Sequence, residues 1–197
     1  MSLSRETEVI FDSRRGQDYH SANPPLYDSS TFHQTVLGGN AQYDYARSGN
    51  PNRTLLEEKL ARLEGGKYAF AYASGIAAIT AVLLTLKSDD HVILPDDIYG
   101  GTLRLTEQIL NRFNIKFTTV NATNILEIKN AIQSNTKLIY VETPSNPLFK
   151  ITDIRAVARI AKQNNLLLAV DNTFMTPLGQ SPLALGADIV VPVSYTH

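Results

Sequence analysis

The sequence contains no cysteine, which excludes disulfides, thiolate metal sites and a cysteine nucleophile. Its four histidines, His20, His33, His91 and His197, are too scattered to suggest a metal-ligand pair. No basic run or stripe marks a nucleic-acid surface, and no acidic tail is present. The 18 basic and 19 acidic residues are spread along the chain and leave a formal net charge of -1. No apolar run is long enough to cross a bilayer, and residues 1–15 hold no apolar core of signal-peptide length. A cytoplasmic chain with neither a membrane nor a nucleic acid as partner is therefore expected. What is present, 43% hydrophobic and 19% charged residues over 197 positions, fits a globular protein with a sizeable core.

Residues 1–53 are rich in Ser, Asn, Pro, Gly and Tyr, with breakers at Asn23-Pro24-Pro25 and Gly38-Gly39-Asn40. The pattern predicts an extended arm, and an arm of this length is expected to pack on something else, such as a partner subunit. From Thr54 regular alternation begins. Thr54 and Glu57 read as a capping box for a helix that Gly65-Gly66 ends. Residues 67–73 then read as a strand and 75–86 as a helix, followed by strands at 91–94, 115–120, 138–142, 166–170 and 187–191. Helices are expected at about 101–112, after Asn124 with Glu127, and over 153–164. Strands apolar on both faces that alternate with helices predict an α/β fold, a mostly parallel sheet covered by helices. Ligands bind such sheets at the carboxyl ends of the strands.

Four strand ends carry residues with chemical potential. Ser74-Gly75-Ile76-Ala77 opens a helix, either as a tight turn or as an anion cradle of free backbone N–H groups. Tyr99 stands beside Gly100-Gly101, as an aromatic face or as a residue that packs while Asp97 caps the helix. Glu142-Thr143-Pro144-Ser145-Asn146-Pro147 is a proline-stiffened loop that presents Asn146. Asp171, at the end of a very apolar strand, is costly unless paired, so it either caps a turn or holds a cationic group. Other nucleotide chemistries lack their residues. There is no G-x-G-x-x-G, and Gly66-Lys67 is followed by Tyr68 rather than Ser or Thr.

Taken in order, five segments resemble the trans-sulfuration family of pyridoxal-phosphate enzymes, which includes cystathionine γ-synthase, the cystathionine γ- and β-lyases and O-acetylhomoserine sulfhydrylase. They are Tyr43-Asp44-Tyr45-Ala46-Arg47-Ser48-Gly49-Asn50-Pro51, Ser74-Gly75-Ile76-Ala77-Ala78, Tyr99-Gly100-Gly101-Thr102, the Glu142–Pro147 loop, and Val170-Asp171-Asn172-Thr173-Phe174. The resemblance covers the N-terminal half of such an enzyme. It implies an incomplete sheet like that of the large domain of fold type I pyridoxal-phosphate enzymes, with pyridoxal 5'-phosphate as cofactor. Gly75 and Ile76, with Ser74, are implied at the phosphate, and Tyr45 and Arg47 at the phosphate of a neighbouring subunit. The resemblance also implies Tyr99 stacked on the pyridine ring and active in proton transfer, Asp171 on the ring nitrogen, and Asn146 near the phenolic oxygen and the substrate carboxylate. Thr173 is a weaker carry-over, and Arg104 lies where an acylated substrate would be contacted.

The resemblance points first to a γ-replacement that joins an O-acylhomoserine to cysteine, giving cystathionine, with a lyase, a sulfhydrylase or a non-catalytic fragment as alternatives. A homotetramer of dimers with shared active sites is its implied assembly. One departure stands out. After the strand at 187–191 the family reads His-Ser-x-Thr-Lys, whose lysine forms the Schiff base. Here Pro192, Val193, Ser194, Tyr195 and Thr196 follow, so the lysine position is Thr196. Residues 192–197 are accordingly expected to be a non-native tail, 54–191 a partial cofactor domain, and the polypeptide alone poorly soluble and inactive.

Overall fold

A computed structural model describes residues 4–10 and 23–193. The chain divides into two compact units, Met1–Ala71 and Tyr72–His197.

The first unit holds helices α1 (Arg5–Ile10) and α2 (Pro51–Glu64). The start of α2 corrects the expected capping box. Asn50 is the N-cap, its side chain accepting from Asn52 N at 2.8 Å, and Pro51 occupies the first helical position. Proline suits that position because its missing N–H has no intrahelical acceptor there. Glu57, freed from capping, accepts from Ala71 N at 2.9 Å. Gly65 ends the helix in the left-handed region, φ 75°, as its type predicts. The strand expected over 67–73 is not formed. Its residues pair with no strand among the described residues, and an extended segment without ladder partners is not a strand. Tyr68 and Phe70 are left 70% and 74% exposed.

The second unit is a five-stranded parallel sheet: β1 (His91–Pro95), β2 (Lys116–Val120), β3 (Thr136–Glu142), β4 (Leu167–Asp171) and β5 (Ile189–Val191), ordered β2-β1-β3-β4-β5. Helices α3 (Gly75–Leu83), α4 (Gly100–Gln108), α5 (Ile125–Asn130), α6 (Ile154–Gln163) and the short α7 (Thr176–Gly179) accompany it. Alternate residues of each strand supply two cores. Ile93, Ile139, Val141, Leu168 and Val170 pack with Ile128 of α5 and Val157, Ile160 and Ala161 of α6. Val92, Leu94, Leu138, Tyr140 and Ala169 pack with Ile79 and Leu83 of α3 and Leu105 of α4. The sheet is thus covered on both faces, and the fold is the expected α/β architecture. The helix expected over 101–112 is split into α4 and a 3-10 turn, Leu110–Phe113, closed by Asn114 at φ 60°.

The strand order places the site. The chain runs outward from β1 to β2, then returns to build β3, β4 and β5 on the other side. The connections leaving β1 and β3 therefore diverge and open a crevice at the carboxyl ends of these neighbours. Among the described residues no helix is long and apolar enough to cross a membrane.

Candidate active site

A hollow of about 110 Å³ lies at this carboxyl edge, and all of its lining belongs to the second unit. Tyr99 comes from the loop after β1, Glu142 and Asn146 from the end of β3 and its loop, Asp171 from the end of β4, Thr173 from the turn after it, and Gly75 from the start of α3. Five residues that the sequence singled out, Gly75, Tyr99, Asn146, Asp171 and Thr173, are thus brought around one cavity.

Asp171 is 4% exposed. Its Oδ1 accepts from Thr173 N at 3.1 Å and from the Thr173 hydroxyl at 2.5 Å, and the Tyr140 hydroxyl donates to Oδ2 at 3.0 Å. It forms no ion pair with any cation among the described residues. Burial raises its pKa above the usual carboxylate value, and the Thr173 and Tyr140 hydrogen bonds pull it partly back. Asp171 caps the Thr173 turn, as one of its two sequence readings had it, and it also lines the hollow.

The helix α3 meets the hollow with its positive end. Ser74 is its N-cap, the Oγ accepting from Ala77 N at 3.2 Å, while the first-turn amides of Gly75 and Ile76 have no intrahelical acceptor. Ser74 is exposed and Ile76 half-buried, and neither lines the hollow. Gly75 lies close under the Val193 side chain: a Cβ there would come within 2.6 Å of Val193 Cγ2. Val193 is held by its own N–H, which donates to Thr173 Oγ1 at 3.2 Å.

Tyr99 is 41% exposed and bears on the hollow, so the reading in which it simply packs is set aside. Asp97 does not cap α4; it accepts from the Ser145 hydroxyl instead. A Cβ on Gly101 would overlap the Tyr99 ring, so glycine is needed for the ring to fold back over the helix start.

Other expected residues lie elsewhere. Tyr45 and Arg47 sit in the first unit, the Arg47 guanidinium 4.7 Å above the Tyr45 ring. Arg104 is exposed on α4 and does not line the hollow. Lys150 Nζ is 3.1 Å from Asp96 Oδ1. Thr196 falls outside the described residues.

Two residues escaped the sequence reading. Tyr140, fully buried, supplies the hydroxyl that orients Asp171. Glu142, 6% exposed, accepts from Tyr99 N at 2.8 Å through Oε2 and from Asn146 N at 2.9 Å through Oε1. Burial pushes its pKa up to about 7; the two N–H groups oppose the rise, and the charges of Asp171 and Asp97 add to it. The signal for Glu142 was the one that marked Asp171, an acid at the end of an apolar strand, with the register pairing Glu142 to Asp171.

A family profile described as Cys/Met metabolism PLP-dependent enzyme matches residues 6–196. The chain belongs to that family. Pyridoxal 5'-phosphate is the cofactor of that family. "Cystathionine beta-lyase MetC" of Staphylococcus haemolyticus is 85% identical over 97% of this chain and 49% of that protein. "Cystathionine gamma-lyase" of Bacillus subtilis is 47% identical over 96% of the chain and 50% of its own length. Among solved structures, cystathionine gamma-lyase from Lactobacillus plantarum superposes with TM-score 0.90 at 44% identity, over 95% of this chain and 49% of that one. Cystathionine gamma synthase from Xanthomonas oryzae pv. oryzae gives TM-score 0.91 at 39% identity, over 96% of this chain and 50% of that one. The chain spans about half the length of the curated relatives it matches.

Proposed function

We propose that the protein is built for cleavage of cystathionine with pyridoxal 5'-phosphate, as a β-lyase. Support comes from the 85% identity to a relative named cystathionine beta-lyase. This reading reverses the order of the sequence analysis, in which γ-replacement of an O-acylhomoserine by cysteine stood first and the lyases second. The γ-synthase reading stays as the second, supported by the likeness to the Xanthomonas oryzae enzyme.

The single observation that carries the cofactor assignment is Asp171, a buried carboxylate with no cationic partner among the described residues, at the edge of a hollow faced by a phenol. The donor set fits the cofactor's parts. Asp171 suits a protonated ring nitrogen, Tyr99 offers a ring face, and Gly75 and Ile76 present amides to a phosphate. When bound, the cofactor supplies an electron sink for charge that develops on the substrate's α-carbon. The chain's own part is to hold and bias it. Asp171, oriented by Tyr140 and Thr173, keeps a proton on the ring nitrogen, because neutralising that cation would strand a desolvated carboxylate. Tyr99 packs on the ring and offers its phenol for proton transfer, and Asn146 offers an amide to the substrate carboxylate. Ser74 acts at the phosphate through the helix mouth it caps, Thr173 through Asp171, and Tyr45 with Arg47 at a neighbouring subunit's phosphate. Val193 brings an apolar side chain to the mouth of α3, where the family has a serine, and Thr196 offers no amine at the lysine position. The polypeptide itself is therefore proposed to be inactive. Residues 1–53 are proposed as an intersubunit arm, 54–191 as a partial cofactor domain and 192–197 as a non-native tail. A cytoplasmic homotetramer of the parent completes the proposal.

The test is a steady-state assay of a full-length version carrying the lysine. Cystathionine alone should yield homocysteine, pyruvate and ammonia. Release of cysteine and 2-oxobutyrate instead would make it a γ-lyase, and turnover only with an O-acylhomoserine plus cysteine would restore the synthase.

A further inference from the structure

We infer that Glu142 is the positioning residue of this site: one buried carboxylate clamps the Tyr99 loop and the Asn146 loop together across the switch point of the sheet. It deepens the proposed function and rests on it only in taking Tyr99 and Asn146 as cofactor and substrate neighbours.

The geometry is specific. Oε2 accepts from Tyr99 N at 2.8 Å and Oε1 from Asn146 N at 2.9 Å, so each oxygen holds a different loop. Tyr99 follows β1 and Asn146 follows β3, the two neighbouring strands from which the chain departs in opposite directions. Their loops diverge by topology, and Glu142 joins them. Tyr99, the N-cap of α4, has no side-chain cap bond of its own, so the carboxylate fixes the point where that helix begins.

A carboxylate can hold both loops because it is an acceptor at both oxygens. A protonated carboxyl keeps one full acceptor, while its hydroxyl oxygen becomes a donor and accepts only weakly; the amide nitrogen of glutamine accepts nothing. Protonation therefore releases one of the two loops. The groups that face Glu142 make this accessible near neutrality. Asp171 on β4 and Asp97 in the β1–α4 connection are acids that repel its charge, and the nearby Tyr140 hydroxyl is directed to Asp171 rather than to Glu142. Burial acts in the same direction and brings the group to about 7. Above that range both loops are held and the hollow keeps its shape; below it one is let go.

Site-resolved amide hydrogen exchange on the full chain, corrected for the intrinsic effect of pH, tests this without ligand. Protection of the Tyr99 or Asn146 amide should fall about tenfold between roughly pH 8 and pH 6, the loss of one charge-assisted hydrogen bond, while Tyr140 in mid-strand stays flat. In Glu142→Gln the reduced protection should be present at every pH, with no step. The inference is overturned if neither amide changes in the native chain, or if the step persists in Glu142→Gln, which would assign it to another group. The native profile alone decides the matter should the variant not fold. Adding pyridoxal 5'-phosphate to a full-length version carrying the lysine separates the two ideas: a clamp that titrates while the ligand protects neither loop sinks the cofactor reading and upholds the clamp.

Discussion

Replacing Tyr140 by phenylalanine isolates the hydroxyl that supports Asp171. The tyrosine is fully buried, and its ring packs in the α3/α4 core with Leu138 and Ala169. Phenylalanine keeps that ring, so the variant removes one oxygen and opens no apolar cavity. It also removes the hydrogen bond that the hydroxyl gives Asp171 Oδ2 at 3.0 Å, the only one to that oxygen among the described residues. A hydrogen bond to a charged group contributes about 1.5–3 kcal/mol, and one between neutral groups about 0.5–1.5 kcal/mol. The cost of Tyr140→Phe should therefore be about 2 kcal/mol where Asp171 is ionised, and should shrink as the pH falls through its raised pKa. Tyr140 itself does not confuse the reading, because burial, and then the Asp171 charge, holds its own pKa well above the usual phenol value. Urea unfolding of both chains at about pH 8 and at successively lower pH measures the difference. A cost under about 0.5 kcal/mol at the higher pH, or one that grows on acidification, would refute the account of how Asp171 is supported.

Gly101→Ala places a methyl group against the Tyr99 ring, which is partly exposed and can swing aside. Stability should change by less than about 1.5 kcal/mol, while pyridoxal 5'-phosphate binding, read by absorbance titration, should weaken. His91 is buried, with Nδ1 2.8 Å from Thr136 Oγ1 and Nε2 2.9 Å from Thr118 Oγ1, and burial lowers its pKa. The unfolded chain then binds the extra proton first, so this contribution is complete above about pH 6.5 and is lost as the pH falls below it. His91→Gln should flatten that slope in a series of thermal melts. The raised Glu142 has the opposite sign: stability should fall as the pH climbs from about 4.5 towards 7, and Glu142→Gln should remove that fall in the same melts. Asn50→Ala should cost about 1 kcal/mol in denaturant unfolding through loss of the α2 cap, with Asn50→Gly milder.

The α/β architecture was readable because the inner strands β1, β3 and β4 are apolar on both faces and alternate with helices, the pattern of a doubly covered sheet. The site followed from it, since Asp171 and Tyr99 stand where strands end. Residues 67–73 misled for the opposite reason. Their composition suits a strand, but strand formation depends on a neighbour, which no local pattern records. The start of α2 was misplaced because Thr54 and Glu57 imitate a capping box, whereas Asn50-Pro51 supplies both a side-chain acceptor and a fixed φ at the first turn. Tyr140 was invisible because a tyrosine among apolar neighbours reads as core, and its hydroxyl matters only through the register that sets β3 beside β4. Glu142 was passed over because the prolines that follow it drew the reading toward the loop.

Glu142 and Asp171 stand side by side in one row of the sheet, both shielded from solvent. Folding has already stripped water from these neighbouring acids, so the local field is negative before anything arrives. A cationic ring entering the hollow meets an environment that needs little rearrangement to receive it. The same field disfavours an anionic ring in that orientation, and so sets which way round a molecule with one positive and one negative end will lie.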